Sequence, residues 1–151
     1  MNIHIPLMRS AAILSGLVLL HSAPICRAEN SYKLLTTIPL ANPHPGGCLS
    51  IDEVGRRLYV PLENEVAVID LAKHQVVART TNTPGVQCFT VAPRFRRGFF
   101  TTSEDSLIHV LDLRALRTVS KLPSKGPGGV IFEPVRGGLF VLDREERTMA
   151  A

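Results

Sequence analysis

The chain states one pattern three times. Asp70 and Asp112 stand 42 residues apart, and each closes an apolar run, VAVID and IHVLD. Leu58-Tyr59-Val60 corresponds to Phe99-Phe100-Thr101 at an offset of 41, and Phe140-Val141-Leu142 follows at 41 again. Residues 32–38 (YKLLTTI), 74–80 (HQVVART) and 116–122 (LRTVSKL) are spaced by 42. Proline-glycine loops recur at Pro45, Pro84 and Pro127. Four features in one order at one spacing mean that the chain is assembled from copies of a single small unit.

What that unit is follows from its alternation. In VAVID, Val66 and Val68 face one way while Ala67 and Ile69 face the other, and both faces are apolar. A sheet apolar on both sides needs neighbours on both sides. The segments DEVGRR, PRFRRG and EPVRGG join the first two strands of each copy and are polar, as a hairpin connection should be. The Asp that closes each VAVID-type run suits the start of the next turn, because its carboxylate can accept local backbone N–H groups. A chain rich in Val, Thr, Ile and Leu with 11 Gly and 11 Pro supports many short strands. A period of about 40–45 residues with four strands per unit is the pattern of β-propellers. The expected fold is therefore all-β, built of β-propeller blades of four antiparallel strands. Residues 32–40 would be the last strand of one blade, 46–82 and 86–124 two full blades, and 128–151 the start of a third.

The run LYVPLENEVAVIDL, preceded by a PGG loop, resembles the YVTN-repeat (YncE-like) β-propeller family, across residues 32–151. YVPL and FFTT stand in place of the family tetrad, and PRFRRG replaces its usual Asp-Gly turn, so these are degenerate copies. The resemblance implies about seven blades. On that basis the chain reads as an N-terminal fragment of a longer propeller, expected to self-associate when expressed alone because of its uncovered strand edges. It also implies a binding site at the mouth of the central channel.

The first 28 residues read as a secretory signal peptide: Arg9, the apolar run 11–20, and a small-residue exit at Ala28. The run is too short for a comfortable membrane span. Its removal predicts a secreted or periplasmic protein with 15 basic and 13 acidic residues, nearly neutral, and gives no indication of nucleic-acid partners. Cys26 leaves with the signal, and the remaining Cys48 and Cys88 fall at corresponding points of successive copies. Corresponding strands of adjacent blades are expected to lie too far apart for a disulfide. Two buried free thiols are the expectation.

No pattern assigns a catalytic or metal-binding role. There is no C-x-x-C, no C-x-x-C-H, no paired histidines at metal spacing and no phosphate-binding glycine motif, so no cofactor is expected. His44, in NPHPGG, is the one candidate for ligand binding, since the resemblance places its loop near the channel mouth. His109 replaces Ala67 of the first copy and reads as a packed position, and His74 as a solvated turn residue. The acid pairs Glu63/Glu65, Glu104/Asp105 and Glu145/Glu146 recur in one turn of each copy and read as turn chemistry. The cluster Arg94, Arg96 and Arg97 reads as a solvated turn able to touch an acidic partner. The leading expectation is a non-catalytic binding or protein-interaction scaffold, whose partner is a protein or small molecule at the channel mouth. A propeller hydrolase or lyase, and a subunit of a periplasmic redox complex, are the alternatives.

Overall fold

A computed structural model describes residues 32–42 and 47–151. His44 and the expected signal peptide lie outside the described residues. Residues Leu34–Ala151 form one compact unit. It is all-β, apart from a short 3₁₀ turn at Pro93–Phe95.

Three antiparallel sheets follow one another along the chain. The first holds β1 (Ser50–Asp52), β2 (Arg57–Pro61), β3 (Val66–Asp70) and β4 (Gln75–Arg79), each paired with the next. The second repeats this order with β5 (Val86–Ala92), β6 (Arg97–Thr102), β7 (Leu107–Asp112) and β8 (Arg117–Pro123). The third has β9 (Pro127–Glu133), β10 (Gly138–Asp143) and β11 (Thr148–Ala150). Residues 32–40 belong to no strand. Ile38 and Leu40 instead pack against Val60, Leu62, Ala67 and Ile69 on one face of the first sheet.

The opposite face of that sheet meets the second. Tyr59, Val66 and Val68 join Phe89, Phe100 and Leu111 in a closed apolar cluster. Ile108 and Cys88, on the far side of the second sheet, meet Val130 and Val141 of the third. Each large side chain so buried contributes about 1.5–3 kcal/mol. Polar ties cross the same joins: Thr101 Oγ1 donates to the Gly128 carbonyl at 2.5 Å, and the Phe132 N–H donates to Thr90 Oγ1 at 3.1 Å.

The turns are built alike. Asp70 Oδ1 accepts the N–H groups of Ala72 and Lys73, both at 2.9 Å, and Asp112 Oδ1 accepts those of Arg114 and Ala115, both at 2.8 Å. These four N–H donors hold both carboxyls below the usual carboxylate range. Corresponding turn positions are also left-handed in successive copies, as at Arg56 and Arg96 and again at His74 and Leu116. Copying of backbone conformation therefore outlasts copying of sequence.

Candidate functional site

The first strands of the three sheets converge, with β1 in contact with β5 and β5 with β9. At the convergence the main chains of Cys48 and Cys88 run side by side in a parallel bridge, and the Phe89 N–H donates to the Cys48 carbonyl at 3.3 Å. Their Cα atoms are 4.6 Å apart, and the two sulfurs are joined in a disulfide.

This corrects the expectation of two free thiols, and the ladder supplies the reason. Ser50 pairs with Tyr59, and Thr90 pairs with Phe99. Tyr59 and Phe99 are corresponding residues, because Arg57 and Arg97 pair with Asp70 and Asp112, and Cys48 and Cys88 lie two places before Ser50 and Thr90. The cysteines thus occupy the same rung of successive sheets, and a parallel bridge brings their main chains together. They also sit where the sheets come closest, not where they splay apart.

Beside the disulfide a groove of about 530 Å³ opens, floored by β5 at Phe89 and Thr90. Leu49 and Ser50 border it from the β1 side, and Ile131, Phe140, Leu142 and Met149 from the third sheet. Ile131 pairs across the ladder with Phe140, and Leu142 with Met149, so these four side chains share one sheet face. Ile131 and Met149 are exposed at 62% and 64%. The groove is concave, apolar and contiguous, the form a binding site for apolar groups takes.

The histidines separate cleanly. His109 is fully buried in β7 and stacks on Phe100 with ring centroids 4.7 Å apart. Phe100 stacks on Phe89 and Phe89 on Tyr59, at 5.9 and 4.4 Å, so four rings form one pile through the join of the first two sheets. His109 Nε2 lies 3.5 Å from Asp105 Oδ2, and neither ring nitrogen makes a hydrogen bond. Burial pushes its pKa down, nearby Lys121 adds to this, and Asp105 opposes it. His74 is exposed in its turn.

The acid pairs are not gathered into one place. Glu65 pairs with Arg79, Asp105 accepts the Thr102 hydroxyl, and Glu146 pairs with Lys125 at 2.6 Å. Among the described residues no cluster of three or more His, Cys, Asp or Glu is placed to hold a metal ion, and no helix is long and apolar enough to cross a membrane. Of the basic turn, Arg97 pairs with Asp112 at 2.8 Å while Arg96 remains exposed. The groove itself was not legible in the sequence, because its lining comes from three copies; the alternation of Ile131, Phe140 and Leu142 was the available signal.

No family model matches the chain, and no curated protein does. Among solved structures it is similar to the hydrazine synthase of Kuenenia stuttgartiensis, with TM-score 0.57 and 15% identity over 80% of this chain and 38% of that one. It is also similar to Sqt1 of Saccharomyces cerevisiae (TM-score 0.53, 9% identity, 64% of this chain and 27% of that one). U3-55K matches with TM-score 0.51 and 14% identity, over 68% of this chain and 35% of that one. Hydrazine synthase and U3-55K contain propellers. The fold is propeller-like. At these identities the likeness extends to the fold alone, and the chain spans little more than a third of the longest-matched of these structures.

Proposed function

We propose that the three sheets are blades of a secreted YVTN-type β-propeller of roughly seven blades, and that it acts as a non-catalytic binding scaffold. The groove beside the Cys48–Cys88 disulfide carries this reading. Its lining of Leu49 and Phe89 can desolvate an apolar group, and Ser50 and Thr90 can orient it through their hydroxyls, whereas Ile131, Phe140, Leu142 and Met149 lie on the face that a following blade would cover. The repeat period of about 41 residues and the likeness to propeller-containing structures support the blade assignment. The N-terminal charge and apolar pattern and the disulfide support an oxidising compartment outside the cytosol.

A titration with an apolar fluorescent probe such as Nile red tests the groove. Saturable binding that weakens about tenfold or more in Leu49→Gln supports the reading. Binding that ignores that substitution, or turnover of a lactone or uronate substrate by the purified chain, overturns it. A fusion of residues 1–28 to alkaline phosphatase tests export separately, since that enzyme is active only after translocation.

A further inference from the structure

A second cleft lies away from the apolar groove and has the opposite chemistry. It opens where the β1–β2 turn meets the β5–β6 and β7–β8 turns, with a volume of about 490 Å³. Arg57, Arg96 and Arg114 line it, together with Asp52, Val54 and Leu113. Three guanidinium groups against one carboxylate leave a formal excess of two positive charges. Among the described residues no carboxylate lies within 4.0 Å of any of the three arginines, whereas neighbouring Arg97 is neutralised by Asp112. Asp52 is buried, and its Oδ1 accepts the Gly55 N–H at 2.9 Å.

The arginines are placed by the backbone. Arg57 donates from Nη1 to the Leu113 carbonyl, which fixes that guanidinium across the join of the first two sheets. The Leu113 N–H donates in turn to the Arg96 carbonyl at 3.1 Å, locking the two turns together. Arg96 is left-handed at φ 54°, so its exposed side chain leaves the hairpin at a set angle. The buried Tyr59 hydroxyl lies close to Arg57 and Asp52.

Exposed apolar residues stand at the neighbouring hairpin tips, of which Val54 lines the cleft and Phe95 packs edge-on against Phe132. The tips of the three hairpins hold Val54, Phe95 and Val135, exposed at 84%, 58% and 86%. Guanidinium forks match carboxylates bidentately, and an aliphatic tip beside them favours an acid carried on a chain with apolar neighbours over a bare ion. We infer that this cleft is a docking site for an acidic, partly apolar peptide segment of a partner protein, with a Glu or Asp carboxylate held between Arg96 and Arg114. The inference does not depend on the apolar groove.

The test is fluorescence anisotropy of a short labelled peptide alternating Glu and Leu, titrated with the whole chain at low salt. Arg96→Gly removes the charge while keeping the left-handed turn favourable, and Arg114→Ala sits in an exposed turn, so both variants retain the fold. Each is expected to weaken binding about tenfold, the weight of one charge-assisted hydrogen bond. Lys73→Ala, a turn residue outside the cleft, is expected to bind as the parent does, as is Leu142→Gln. A peptide alternating Gln and Leu is expected not to bind. Absence of binding, equal weakening in all the charge variants, or displacement of the peptide by inorganic phosphate at sub-millimolar concentration would each overturn the inference, the last by showing a site for small anions.

Discussion

Cys48 and Cys88 stand in neighbouring sheets with their Cα atoms 4.6 Å apart, and the disulfide between them closes a loop spanning 40 residues of sequence. A cross-link over that length removes about 4 kcal/mol of chain entropy from the unfolded state. Reduction, or Cys48→Ser, is expected to lower the free energy of unfolding by about that amount. Urea titrations of the oxidised and reduced chain read it directly. Coincident midpoints would show that the strand ladder alone constrains this loop.

His109 makes stability depend on pH. Its folded pKa lies below the ordinary value, so the unfolded state binds the proton more readily than the native one. Stability is therefore complete above the unfolded pKa of about 6.5 and declines as pH falls through it, by at most about 1.4 kcal/mol per pH unit. Burial is the chief cause of the shift, Lys121 adds to it and Asp105 opposes it. His109→Leu is expected to flatten the dependence between pH 7.5 and 5.5. A parallel slope in both proteins would place the titrating group elsewhere.

Gly85 occupies the loop entering the second sheet at φ 67°. A Cβ there would lie 2.6 Å from Ser103 Oγ and 3.2 Å from the Glu104 backbone nitrogen. Gly85→Ala is expected to cost about 2 kcal/mol, the left-handed penalty with crowding added. Thermal melting measures it. An unchanged melting temperature would mean that the loop rearranges freely.

His74 presents the reverse case. It is exposed and left-handed at φ 53°, where a side chain gains nothing and strains the backbone. His74→Gly is expected to raise stability by about 0.5 kcal/mol after the entropy of glycine is subtracted. A fall in the urea midpoint would reveal a packing role for the imidazole.

Strand placement was legible because the alternation of VAVID and IHVLD and the Gly- and Asp-bearing turns act over a few residues. Asp70 and Asp112 were readable as turn residues for the same reason, and both accept the two N–H groups expected of such a turn. The free-thiol expectation failed because it took corresponding strands of adjacent sheets to lie too far apart for a disulfide, whereas the Cα atoms of Cys48 and Cys88 are 4.6 Å apart. Their separation of 40 is the one that relates Arg57 to Arg97, so the two share a rung, and the convergence of the first strands in a parallel bridge, which no local pattern encodes, brings them together. The arginine cleft was half legible: Arg94, Arg96 and Arg97 stood out as a cluster, but Arg97 is spent on Asp112, and Arg57 and Arg114 come from other turns.

The sequence by itself determined the repeat, the all-β character and the turn chemistry, since periodicity and local hydrogen bonding are properties of neighbouring residues. Only the tertiary structure decided which copies touch and where. The disulfide, the four-ring pile ending at His109, the apolar groove and the arginine cleft all join residues from different sheets. Their geometry depends on how sheets twist and converge, which no single strand encodes.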